Sequence, residues 1–144
     1  MSDRFFLDTN IFVYSFDNED TEKQGIARHL INDALQNGKG LISSQVVQEF
    51  LNAALQKFDE PIAVQDAKTY LDTVLAPLCE IYPDPEYYKQ GIDIHITTKY
   101  SFYDSLILAA AQRGNCRILY TEDLQAGQTM GTVTIVNPFT IIDR

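Results

Sequence analysis

The chain is poor in the residue types that mark sulfur-ligated metals, disulfide scaffolds and broad nucleic-acid grooves. It has two cysteines, Cys79 and Cys116, with no Cys-x-x-Cys spacing. That excludes a zinc knuckle or a thioredoxin-type motif and fits a reduced, cytoplasmic setting. The two histidines, His29 and His95, stand far apart and read as surface or packing residues. Lys and Arg total 11 against 20 Asp and Glu, which gives a net charge of −9 and a pI near 4.5. A non-specific nucleic-acid binder usually shows the opposite, a basic stripe. The seven glycines form no phosphate-cradling loop, which argues against P-loop or dinucleotide binding. No apolar run approaches the roughly 20 residues of a membrane span. Met-Ser-Asp-Arg leads straight into a strand pattern, so neither a signal peptide nor a membrane partner is expected.

What is present fits one folded unit. At 144 residues and 45% hydrophobic content, the chain matches a single domain, 1–144, with a sizeable core. No linker, repeat or low-complexity stretch divides it. Arg4–Leu7 reads as a buried first strand, with a short helical piece over Asn10–Phe16. Ile26, Leu30, Ile31, Ala34 and Leu35 give Glu22–Gln36 a helical period, and Asn37-Gly38-Lys39-Gly40 stops it. Leu41–Ser43 is a second strand. Ser44 is a candidate N-cap for a helix to about Lys57, and Pro61 can open another to about Ala76. Leu78–Tyr82 is a third strand, and Pro83-Asp84-Pro85 precedes a helix to about Ile96. Ser101–Gln112 is a very apolar helix ended by Gly114. Arg117–Thr121 and Thr132–Val136 are the last strands. Strands alternating with helices imply an α/β fold of three layers, α/β/α, around a central parallel sheet of four to five strands.

Four acidic elements fall at the ends of these apolar runs. Asp8 follows Phe5-Phe6-Leu7. Glu49 sits about one turn into the helix after the second strand, off the apolar stripe and beside Gln45. Asp104 lies at the mouth of Ser-Leu-Ile-Leu-Ala-Ala-Ala. Thr121-Glu122-Asp123 follows the fourth strand. In an open α/β sheet such points share one crevice. Each position also has a simpler explanation. Asp8 can cap the helix after it, and Glu49 can be a solvated helix residue. Ser101 with Asp104 fits a capping box, and Asp123 suits a turn. Together they argue otherwise, because unit charges 4 Å apart repel by about 4 kcal/mol at an effective dielectric of 20. Shared placement calls for a hard divalent cation and chemistry on phosphates. Asn10 stands where a DxD phosphatase needs its second Asp, which weakens a phosphoaspartyl mechanism. It can instead fix Asp8 or accept from a water, and Thr121 places a hydroxyl near the site.

Taken in order, these elements resemble the PIN-domain ribonucleases, and within them the VapC-like toxins of toxin–antitoxin pairs. Leu7-Asp8-Thr9-Asn10-Ile-Phe-Val-Tyr resembles the opening strand of that family. Ser43-Ser44-Gln-Val-Val-Gln-Glu49-Phe, Ser101-Phe-Tyr-Asp104-Ser-Leu-Ile-Leu and Leu119-Tyr-Thr-Glu122-Asp123-Leu resemble its next three acidic elements. Val136-Asn137-Pro138-Phe139 is similar to the ending of one branch, while residues 61–97 carry no diagnostic positions. The resemblance implies a metal-dependent endoribonuclease that hydrolyses RNA. Asp8, Glu49, Asp104 and Asp123 would be its catalytic and metal-binding acids, with Glu122 a further ligand candidate. Mg²⁺ or Mn²⁺ would be the cofactor, which suits carboxylate and water donors. A cognate antitoxin and a homodimer are implied as well. A non-catalytic PIN-like RNA- or protein-binding module is the alternative of another class. A Mg²⁺-dependent phosphatase or DNA nuclease is the other enzymatic alternative. With so few cations, Lys99 and Arg28 are the candidates for neutralising RNA phosphates near the crevice.

Overall fold

Phe5, Phe6 and Leu7 are all buried, and as β1 (Phe5–Leu7) they form the middle of the sheet. The computed structural model describes residues 3–143. β1 pairs in parallel with β2 (Gly40–Ser43) on one side and β4 (Ile118–Tyr120) on the other. β3 (Cys79–Ile81) continues beyond β2, and β6 (Val133–Val136) beyond β4, again in parallel. β5 (Thr129–Met130) closes the order β3-β2-β1-β4-β6-β5 as an antiparallel edge. The five parallel strands match the expected sheet, and the sixth is additional. It arises because Met130 pairs with Val133 across a two-residue turn, where Gly131 takes φ +61° at the first turn position. Thr132 is therefore a turn residue, and the last strand begins one position later than its apolar pattern suggests.

The order of strands fixes where the helices lie. From β1 the chain steps outward to β2 and then β3, through α1 (Thr9–Tyr14), α2 (Thr21–Asn37), α3 (Ser44–Asn52), α4 (Val64–Tyr70) and the short α5 (Ala76–Leu78). It then returns across β1 to β4, through α6 (Pro85–Thr98) and α7 (Phe102–Arg113). Right-handed crossovers in opposite directions place these two helix groups on opposite faces. α2 and α3 pack on β2, whereas α7 packs along β2, β4 and β6 with α6 against it. That is the three-layer α/β/α arrangement. Among the described residues no helix is long and apolar enough to cross a membrane.

Three local features decide how the layers meet. Gly40 lies so close to α2 that a Cβ there would sit 2.3 Å from the Ala34 Cβ and 2.7 Å from the Phe5 ring. α7 is buried from Ser105 through Ala111, as its unbroken apolar run predicts. On the other face Phe12, Phe16, Phe50 and Tyr70 share one aromatic cluster, with Phe50 and Tyr70 centroids 5.2 Å apart. Full burial of a side chain such as Phe50 contributes about 2–3 kcal/mol and anchors the helix that carries Glu49.

Two helix starts differ from expectation. Ser43, not Ser44, is the N-cap of α3, accepting from the Val46 N–H at 3.4 Å. The helix expected from Pro61 begins only at Val64. The Ile62 N–H bonds back to the Ala54 carbonyl at 3.1 Å and Ala63 is extended, which keeps residues 61–63 out of the helix. α3 does continue to Lys57 as a π-helical turn, and a second such turn, Leu71–Leu75, joins α4 to α5.

Candidate active site

The site forms where the carboxyl ends of β1, β2 and β4 meet the helices that follow them. β1 and β4 flank the point at which the chain reverses its direction across the sheet, the usual place for a crevice in an open α/β fold. Register brings Leu7 opposite Tyr120, and the Asp8 N–H donates to the Tyr120 carbonyl at 3.0 Å. The residues one to three positions beyond these strand ends are then neighbours.

Asp8 is the innermost acid, 4% exposed. Oδ1 accepts from the Thr9 N–H at 2.7 Å at the start of α1, and Oδ2 accepts from the Thr121 hydroxyl at 2.7 Å. The capping role weighed for Asp8 is therefore real and coexists with its place in the site. Burial pushes its pKa up to about 7, the two hydrogen bonds oppose that rise, and the charges of Asp123 and Glu49 add to it. Those two carboxylates are thus close enough to act on Asp8 through space. Asp104 is half-buried in the first turn of α7, one turn past the Ser101 N-cap, whose Oγ accepts from the Asp104 N–H at 3.1 Å. Its pKa is also raised, by burial first, with the Ser101 hydroxyl opposing and the charges of Asp123 and Glu49 adding. Asp8 and Asp104 each lie within electrostatic reach of Glu49 and Asp123.

Each of the more exposed acids rests on a neutral donor. Glu49 Oε1 accepts from the Thr9 hydroxyl at 2.6 Å, and Oε2 accepts from the Gln45 amide at 3.2 Å. Gln45 also donates to the Tyr103 carbonyl at 3.1 Å, which ties α3 to the start of α7. Asp123 Oδ2 accepts from the Asn10 amide at 3.0 Å. Asn10 therefore fixes Asp123 and not Asp8, because it faces the β4 end from the second position of α1. Thr121 is fully buried and doubly used: its hydroxyl donates to Asp8 and accepts from the Asp123 N–H at 3.1 Å. Thr9 and Gln45 are functional neighbours that the sequence reading missed. Gln45 had a visible signal, its i,i+4 spacing to Glu49 on one helix.

Glu122 is elsewhere. Its Oε1 accepts from the Tyr14 hydroxyl at 2.6 Å and its Oε2 pairs with the Lys23 ammonium at 2.6 Å. Both oxygens are engaged by Tyr14 and Lys23, whereas the neighbouring Asp123 accepts from Asn10. Arg28 lies towards the other end of α1. Its Nε donates to the Ser15 carbonyl at 2.9 Å, at the C-terminal end of α1 and opposite the end that carries Asp8. Lys99 is exposed in the left-handed C-cap of α6, five residues before Asp104.

Among the described residues no three of His, Cys, Asp and Glu form a ready-made metal cage. The four acids are instead spaced by hydroxyl and amide donors. Two amide oxygens, Asn10 Oδ1 and Gln45 Oε1, are buried without a hydrogen-bond partner. Their orientations follow from the carboxylates, since each amide turns its N–H towards an acid. An all-oxygen set of four acids and two unpartnered acceptors fits a hard, hydrated cation of the Mg²⁺ or Mn²⁺ kind and not a sulfur- or imidazole-seeking one. A cation would also relieve the buried charge on Asp8.

Comparison with known proteins agrees with this fold. The family model of the PIN domain matches residues 5–129. No curated protein sequence matches the chain. A toxin–antitoxin complex from Klebsiella pneumoniae superposes with a TM-score of 0.67 at 18% identity, covering 92% of this chain and 96% of the other. DNA-bound VapBC from Salmonella typhimurium gives 0.64 at 18%, covering 94% and 97%. VapC20, a sarcin–ricin loop cleaving toxin from Mycobacterium tuberculosis, gives 0.62 at 20%, covering 83% and 89%. At these identities the likeness is one of fold.

Proposed function

The chain belongs to the PIN-domain family, and from that premise we propose that it is a divalent-metal-dependent endoribonuclease, the toxin of a toxin–antitoxin pair. The observation that carries this reading is the meeting of Asp8, Glu49, Asp104 and Asp123 at one crevice, with Asp8 buried and its pKa raised. Structural acids on a solvated face would not be driven into one another's field.

In this reading Asp8, Glu49, Asp104 and Asp123 would hold the cation, with the Asn10 and Gln45 side-chain oxygens as further candidate acceptors. When bound, such an ion supplies a Lewis-acid charge that offsets phosphate charge and acidifies a hydrolytic water. The chain's own contribution is placement. Thr121 and the Thr9 N–H hold the Asp8 carboxylate, Thr9 and Gln45 hold Glu49, and Asn10 holds Asp123. Such a pre-set shell keeps the reacting phosphate in register. The toxin assignment draws on the solved relatives described as VapBC and toxin–antitoxin complexes. A cognate antitoxin, a homodimer and a cytoplasmic setting follow as parts of the same proposal.

Cleavage assays on single-stranded RNA, DNA and a chromogenic phosphate ester, each with Mg²⁺, Mn²⁺ or EDTA, test it. RNA cleavage that needs the metal and is lost in Asp8→Asn is expected. Cleavage of DNA or the ester alone would replace the substrate class. No cleavage of any of the three, with metal binding intact, would leave a binding module.

A further inference from the structure

The loop that carries Asp123 is gripped by side chains from α1 and α2. Asn10 and Tyr14 lie four residues apart on α1 and so share one face of that helix. They grip consecutive loop residues: Asn10 donates to Asp123 at 3.0 Å and Tyr14 donates to Glu122 at 2.6 Å. Lys23, from α2, adds a third point by pairing with Glu122 at 2.6 Å. The ammonium also donates to the Tyr14 hydroxyl at 3.3 Å and lies 4.6 Å from the Tyr14 ring centroid and 5.4 Å from that of Phe139. Those two rings meet edge to face at 4.9 Å.

The Lys23–Glu122 pair is the most sheltered of the ion pairs among the described residues, with side-chain exposures of 28% and 29%. Exposed pairs contribute little and are easily dismissed as incidental. This one is half out of water and bonded to a third group. It also sits beside the one loop whose position decides where Asp123 points. The Glu122 carboxylate holds the Lys23 ammonium above its ordinary pKa. Further along, Tyr100 bonds to the Gln128 side chain and accepts from the Gln125 N–H at 3.1 Å, which fixes the loop's other end.

We infer that Lys23, Glu122 and Tyr14 form a positioning device that sets the Asp123 carboxylate against the other acids, so that Glu122 serves the site through its neighbour and not as a ligand. The inference rests on the metal-dependent reading above in taking Asp123 as a site acid. The clamp on the loop can be measured without that reading.

The test uses Lys23→Glu, Glu122→Lys and the double variant that exchanges the two charges, with Glu122→Gln as a milder change that keeps the Tyr14 bond. Two readouts need no RNA. Hydrogen exchange at the Asp123 amide, which bonds to Thr121, reports loop order in metal-free protein. Calorimetric titration with Mn²⁺ reports assembly of the site. Either single reversal should deprotect the loop and weaken Mn²⁺ binding by about tenfold or more, the usual effect of losing a supporting partner. The exchanged pair should restore both. RNA cleavage should follow Mn²⁺ affinity, recovering in the single variants as Mn²⁺ is raised. If the exchanged pair restores loop protection but not Mn²⁺ binding, Glu122 is itself a ligand and the inference falls. It also falls if the reversals and Glu122→Gln match wild type in both readouts. Should a reversal not fold, Glu122→Gln alone decides on the same two measurements. Wild-type protein that binds Mn²⁺ yet cleaves no RNA would remove the nuclease reading and leave the clamp standing.

Discussion

The Thr121 hydroxyl joins Asp8 to Asp123: it donates to the Asp8 carboxylate at 2.7 Å and accepts from the Asp123 N–H at 3.1 Å. One buried side chain beyond the end of β4 therefore couples the buried acid at the end of β1 to an exposed acid. Among the described residues Asp8 has no cationic partner, and its hydrogen bonds only partly offset burial. The protein thus holds a carboxylate in a place that disfavours its charge, a common mark of a functional site.

Stability should therefore depend on pH in the sense opposite to that of a salt-bridged acid. Unfolded, the Asp8 carboxyl titrates near 3.8; folded, at about 7. Between those values the folded state holds a proton that the unfolded state has lost. Metal-free stability should fall as pH rises from about 4 to about 7 and stay low above that, by on the order of 4 kcal/mol for the full span. Asp104, raised in the same direction, adds to the trend. Urea unfolding in EDTA at several pH values measures it. Asp8→Asn should flatten the profile and stabilise the metal-free protein at pH 7.5. A wild-type profile that rises between pH 5 and 7 would contradict the assignment.

A cation should reverse that penalty. At a hundredfold excess over Kd, binding to the folded state alone contributes about 2.7 kcal/mol. Melting curves with millimolar Mn²⁺ should shift upward for the wild type and hardly at all for Asp8→Asn. No shift in the wild type would count against a cation at these acids.

Asp8→Asn and Asp104→Asn should each lower metal-dependent RNA cleavage by on the order of a hundredfold or more while leaving the far-UV spectrum unchanged. Asn keeps the shape of the side chain and its acceptor oxygen but removes the charge. Asn10→Asp is a useful contrast. It removes the amide that holds Asp123 and adds a fifth acid, so it should also lose activity through misplacement of Asp123. Full cleavage by either Asp→Asn variant would show that the charge is not needed.

Much of this site was legible in the sequence because it follows from strand ends. Once Arg4–Leu7, Leu41–Ser43 and Arg117–Thr121 are read as parallel strands, Asp8, Glu49 and Asp123 are expected near one edge of the sheet. The apolar run after Asp104 likewise forces a deeply packed helix with its acid at the mouth. What was not legible depends on rotamers and on contacts distant in the chain. Glu122 and Asp123 are adjacent and chemically alike, yet one faces Lys23 and Tyr14 and the other Asn10. No local pattern separates them, because Lys23 is 99 residues away in sequence. For Asn10 the sequence leaves open a bond to Asp8 or to a water, whereas α1 turns its amide towards Asp123. The β5 edge was missed because a two-residue strand has no periodicity to detect.

If the protein is a toxin, inducing it alone should arrest bacterial growth, and inducing Asp8→Asn to the same soluble level should not. Colony counts and optical density after induction check this. Robust growth with soluble wild-type protein would favour a housekeeping nuclease or a binding module.

The last expectation concerns how so acidic a surface holds RNA. With 11 Lys and Arg against 20 acids, the chain cannot line a broad basic groove. Several of those cations are already committed: Lys23 to Glu122, Arg28 to the Ser15 carbonyl, Arg113 to Asp84. Lys99 remains exposed at the end of α6, near the start of the Asp104 helix, and is the best-placed candidate for a phosphate contact. Most neutralisation must then come from the bound cation. Affinity for an uncleavable RNA should fall sharply in EDTA. In Mg²⁺ it should fall only gently with monovalent salt, because each phosphate contact contributes roughly 0.7 to the logarithmic slope for a single strand. A slope near 1 to 2 in Mg²⁺ is expected, with Lys99→Ala reducing it by about 0.7. Tight binding in EDTA with a slope several times larger would mean that a basic surface is assembled from more than one copy of the chain. The RNA would then be held first by protein charge and only afterwards by metal.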